Sequence, residues 1–163
     1  MADLAFDVFL AFHVAAGLTC VVTGVLAFTS QKQPGRHTWS GEIYYWAFAV
    51  VFVSATVLAV LRWSTDAYLF VLGVVAFGFA TLGFAARTIR WTGWLPAHIT
   101  GMGVSYIVLL TAFYVDNGPH LPLWQLLPPI AFWLLPSFIG LPLLFRALAS
   151  QRGKQVAKES GLQ

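Results

Sequence analysis

An all-α integral membrane protein, a helical bundle with about five transmembrane helices, is the fold class this sequence predicts. Four observations predict it. The 163 residues are 59% hydrophobic and only 9% charged, whereas a soluble domain is roughly a quarter charged. Mean hydropathy is +0.78. Apolar runs of about twenty residues recur along the chain, each long enough to cross a hydrocarbon core of roughly 30 Å at ~1.5 Å per helical residue. Basic residues gather at alternate ends of those runs, as the positive-inside rule requires of a chain that crosses repeatedly.

The first span is expected over residues 4–29. Its small and polar positions His13, Gly17, Cys20 and Gly24 share one helix face, which should look at protein while Val, Leu and Phe look at lipid. Met1, Ala2 and Asp3 lack the positive region of a signal peptide, and the apolar run is too long for one, so this segment is expected to be retained. The connector Ser30 to Gly41 is the most polar internal stretch. Pro34 and Gly35 form its turn, and Thr38 or Ser40 is the expected N-cap of the next helix. The second span, 42–61, opens on Tyr44, Tyr45 and Trp46. A short link over 62–67 leads to the third span, 68–86, where Gly73, Ala76, Ala80 and Gly83 make a small-residue stripe suited to close helix approach.

The segment 87–97 carries Arg87, Arg90, Trp91 and Trp94 and ends near Pro96, a residue suited to a helix start. The fourth span, 98–115, begins on His98 and is uncharged until Asp116. Gly101, Gly103, Ser105, Thr111 and Ala112 are small enough to admit neighbouring helices. Asn117, Gly118 and Pro119 end it. A loop or shallow interfacial segment follows, anchored by Trp124. The fifth span, 128–145, contains Pro136 and Pro142, which predict a kinked helix, with a re-entrant hairpin as the alternative. The tail 146–163 is polar and basic and is expected to fray.

Five spans sort the nine basic residues eight to one. Lys32, Arg36, Arg87, Arg90, Arg146, Arg152, Lys154 and Lys158 fall on one side, and Arg62 alone on the other. The C-terminus is therefore expected in the cytoplasm and the N-terminus outside. A net charge of +3 and a pI near 9.3 then point to anionic lipid rather than nucleic acid as the partner of the basic groups. The single cysteine, Cys20, excludes an intrachain disulfide.

This topology makes His37 and His98 a pair. Both open spans that run in the same direction, and each has a tyrosine eight residues on, Tyr45 and Tyr106. If spans two and four pack together, the imidazoles share one depth at the cytoplasmic rim, with Arg36, Arg87 and Arg90 around them. A haem b takes axial imidazoles from different helices and basic groups for its propionates. Tyr45 and Tyr106 then become supporting or quinone-facing groups. A zinc site is the competing use, with His37, His98 and Glu42 as ligands to a divalent metal. The plainer alternative is a pair of interfacial histidines that bind lipid phosphate or cap helices. His13, about 13 Å along the first helix, is a second ligand or a proton-handling group, or else a neutral ring bonded to a neighbouring helix. Met102 lies one turn from His98, but one helix face cannot supply both axial ligands, so it is expected to pack. No HExxH, phosphate loop, GxSxG or CxxC motif is present. A non-catalytic bundle is the other functional class: an accessory subunit, transporter half or lipid-binding protein, assembling as a homo-oligomer or with a membrane partner through the small-residue stripe.

His13 with Gly17 and Gly24, the run GRHTWSGEIYY that contains His37 and Gly41, and the pattern His98-x3-Met102-x2-SYI-x-L-x-TAFYVDN through Tyr106 to Asn117 resemble an uncharacterised family of small bacterial multi-pass membrane proteins, a predicted domain of unknown function. The resemblance covers the first four spans. It implies an all-helical bundle in the bacterial inner membrane and carries no reaction with it.

Overall fold

Backbone hydrogen bonding carries each apolar run past the limits that hydropathy alone sets. The computed structural model describes residues 2–159 and residue 161. Helix α1 spans Ala2–Thr29, α2 Arg36–Leu61, α3 Trp63–Ile89, α4 Trp94–Asn117 and α5 Pro129–Glu159, with short 3-10 turns at Gly118–His120 and Trp124–Leu126. All five are long and apolar enough to cross a membrane. No strand occurs among the described residues.

The helices stop where the backbone forces them to, not where polarity begins. Gly35 precedes α2 at φ 124°, Arg90 follows α3 at φ 57°, Gly93 precedes α4 at φ 81°, and Leu123 interrupts the last connector at φ 70°. None of these conformations continues a right-handed helix. Several expected boundaries are therefore corrected. Thr38 and Ser40 lie inside α2, and its N-cap is Gly35, with no side-chain cap. The expected link over 62–67 shrinks to Arg62, whose amide bonds back to Leu58 and Ala59. Asp66 then falls in the first turn of α3, where the helix dipole favours a carboxylate. In the fifth segment α5 passes through Pro136 and Pro142 as one helix, which removes the re-entrant alternative. The tail continues that helix to Glu159.

The chain divides into two units, Met1–Phe77 and Gly78–Gln163. In the first, α1 and α2 pack antiparallel. The expected protein-facing side of α1 is the buried one: Cys20 is fully buried and its thiol donates to the Tyr44 carbonyl at 3.7 Å. Leu10, Val14, Leu18, Val22 and Phe28 are exposed, the lipid-facing side. Phe77 of α3 stacks on Tyr45 and Phe52 of α2 with ring centroids 5.8 and 5.0 Å apart.

In the second unit α4 is covered on two sides. A Cβ built on Gly101 would lie 2.6 Å from the Gly83 nitrogen, so the backbones of α3 and α4 touch there. On the opposite side, a Cβ on Gly103 would meet Leu144 of α5 at 2.8 Å, and Gly140 of α5 meets Ile107. This double coverage explains why alternate residues Gly101, Gly103, Ser105, Ile107, Leu109 and Thr111 are all buried on a helix. Met102 packs on Gly83 as expected.

Candidate functional site

Three of the four histidines bond an oxygen on a neighbouring helix, and in two of them that bond sets the tautomer. His37, in the first turn of α2, is half-buried, and its Nδ1 lies 2.9 Å from the Ala27 carbonyl in the last turn of α1. His98, in the second turn of α4, is half-buried, with Nδ1 2.8 Å from the Gly83 carbonyl of α3. A carbonyl oxygen only accepts, so in both rings Nδ1 carries the proton and donates. His13 of α1 places Nδ1 3.1 Å from Ser54 Oγ of α2. The Ser54 hydroxyl also lies within donating distance of the carbonyls of Val50 and Val51, at 2.7 and 3.0 Å, so in this pair either partner can donate. In the neutral rings of His37 and His98 the lone pair therefore belongs to Nε2. A metal-binding histidine is oriented in the same way, with Nδ1–H held by an oxygen and Nε2 directed at the ion.

The other expected site residues divide. Tyr45 is on the helix of His37 but faces elsewhere: its ring stacks on Phe77 of α3, while His37 reaches α1. Eight residues turn a helix through about 80° beyond two full turns, enough to send the two side chains to different neighbours. Tyr106 and Glu42 are half-buried. Arg90 lies over the Trp94 ring at 5.7 Å, and that ring is 6.5 Å from the His98 ring, so a guanidinium, an indole and an imidazole follow one another at the start of α4. Arg87 is half-buried in the last turn of α3. Among the described residues no group of three or more His, Cys, Asp or Glu side chains could hold a metal ion, so the zinc set His37, His98 and Glu42 gains no support.

The residues around the first connector form a group that sequence spacing alone does not reveal. Lys32 Nζ donates to the carbonyls of Ala27 and Phe28, both at 2.8 Å. Partial burial lowers its pKa below the ordinary lysine value. Thr29 and Ser30 donate to the carbonyls of Val25 and Leu26, so the negative end of α1 is satisfied by its own neighbourhood. Facing it, Leu26, Arg36, Trp39 and Ser40 line a cavity of about 560 Å³. The Ser40 side chain is fully buried and its Oγ has no hydrogen-bond partner. The one available signal was the spacing of Arg36 and Ser40, which places them one turn apart on a single face.

These features define the class: an all-α, multi-pass membrane protein with five apolar helices and imidazoles that bridge consecutive helices. Comparison of the chain with protein-family models, with curated proteins and with solved structures finds no match.

Proposed function

We propose that this is a redox-linked, haem b-binding protein of the bacterial inner membrane, with its C-terminus in the cytoplasm and with His37 and His98 each suited to ligate haem iron through Nε2. One observation carries the reading: both imidazoles are pinned through Nδ1–H to a backbone carbonyl of the preceding helix. That bond sets the ring orientation and raises the basicity of the other nitrogen. Haem needs only one or two protein ligands, so it does not require a three-ligand cage. Arg90, next to Trp94 and His98, is suited to a propionate, and Tyr106 to a quinone partner. Membership of the uncharacterised family is part of the same proposal, supported by the histidine and glycine pattern quoted above.

The test is a visible spectrum. Protein expressed with excess haem and purified in detergent is expected to show a Soret band. His37→Ala or His98→Ala should abolish or shift it, and His120→Ala should leave it unchanged. Colourless wild-type protein without stoichiometric iron would overturn the reading.

A non-catalytic bundle is the second reading, and one observation favours it. The same imidazole bonds join α1 to α2 and α3 to α4 and so brace the helices whether or not a cofactor binds. On this reading the histidine variants lose thermal stability in protein that has no colour.

A further inference from the structure

We infer that the cavity at the start of α2 binds a phosphate group, and that in the membrane this group is the head of an anionic phospholipid. Four observations converge on it. The first turn of α2 has no side-chain cap, so its amides and the positive end of the helix dipole are available to an anion. Arg36 supplies a full positive charge at the cavity wall, with a fork of donors that matches phosphate oxygens. The Ser40 hydroxyl at the same wall is buried and unpartnered. A buried hydroxyl without a partner is costly and calls for an acceptor. The opposing end of α1 does not repel an anion, because Lys32, Thr29, Ser30 and His37 already occupy its last carbonyls.

The position selects lipid. The connector lies between a span that ends at Thr29 and one that begins at Arg36, so the cavity is at the level of the headgroups. Leu26 offers an apolar wall to the upper acyl chain, and Trp39, 61% exposed, is the amphipathic ring expected at that depth. The basic bias of this side of the chain adds a field that concentrates anionic lipid.

The experiment uses full-length protein in detergent, stripped of lipid. Native mass spectrometry and thermal melting are run with phosphatidylglycerol, with diacylglycerol as the phosphate-free control, and with inorganic phosphate alone. Wild type should retain phosphatidylglycerol and melt at higher temperature with it, and diacylglycerol should do neither. Arg36→Gln should weaken retention about tenfold, consistent with loss of one charge-assisted contact. Ser40→Ala should melt at or above the wild-type temperature without lipid, because it removes an unpaired hydroxyl, yet lose most of the gain that lipid confers. Protection by inorganic phosphate equal to that by phosphatidylglycerol, and sensitive to both substitutions, would overturn the lipid assignment and identify a free-anion site. Equal retention by wild type, Arg36→Gln and Ser40→Ala would overturn the site altogether. So would a Soret band lost in Arg36→Gln and Ser40→Ala with phosphatidylglycerol retention unchanged, which would give the cavity to a haem carboxylate.

Discussion

At the scale of single residues, the carbonyl bonds of His37 and His98 decide which nitrogen can do chemistry. Sequence spacing placed these rings at helix ends and that of His13 inside a span, but it could not reveal their tautomers, because those depend on an oxygen contributed by another helix. Ser54 is a clear example: its hydroxyl, 41 residues from His13 along the chain, lies 3.1 Å from Nδ1 and also reaches the carbonyls of Val50 and Val51. Replacing Ser54 by alanine should destabilise the folded protein by about 1 kcal/mol and leave any colour due to His37 and His98 intact, as a melt and a spectrum on one sample can check. His98→Gln should keep much of the fold, since an amide can still donate to the Gly83 carbonyl, but change or remove the Soret band. Equal spectra for His98→Gln and wild type would count against His98 as a ligand.

At the scale of elements, the close approach of α3 and α4 depends on glycines at two facing positions. A methyl on Gly101 would meet the Gly83 backbone and the Phe79 carbonyl at 2.6 to 2.7 Å, and backbone cannot move aside as a flexible side chain can. Gly101→Ala should therefore cost roughly 1–3 kcal/mol by overpacking, and should lengthen the His98 bond to Gly83. The same substitution at Gly17, which has nothing within 4 Å, should change little. A comparison of the two melting temperatures checks this. The small-residue stripe of α3 was legible in the sequence, but its use was not. Ala76 and Ala80 are 2% and 0% exposed, so these two residues of the stripe are covered within the chain itself. The same logic separates Tyr45 from His37, because a ring follows whichever neighbouring helix offers a flat partner, here Phe77.

At the scale of the whole molecule, five helices are long and apolar enough to cross a membrane, and an odd number of crossings predicts chain ends on opposite sides. In a Cys20→Ser background, single cysteines at Gln31, Thr92 and Gln151 should react with an impermeant thiol reagent only from the cytoplasmic side, and cysteines at Thr65 and Gln125 only from the outside. Reaction of Gln31 and Gln125 substitutions from the same side would remove one crossing from the topology. The eight-to-one distribution of basic residues supports the stated direction.

Composition and the spacing of apolar runs by themselves determined the class, the number of spans and the lipid-facing side of α1. The reason is physical: in hydrocarbon every backbone polar group must be satisfied within the segment, so apolarity over a sufficient length leaves the helix as the solution. Tertiary structure alone decided where the helices end, which neighbour each imidazole binds and that the Ser40 hydroxyl is buried without a partner. Those outcomes depend on backbone torsions at Gly35 and Gly93 and on oxygens distant along the chain, and neither is written in the hydropathy of a single segment.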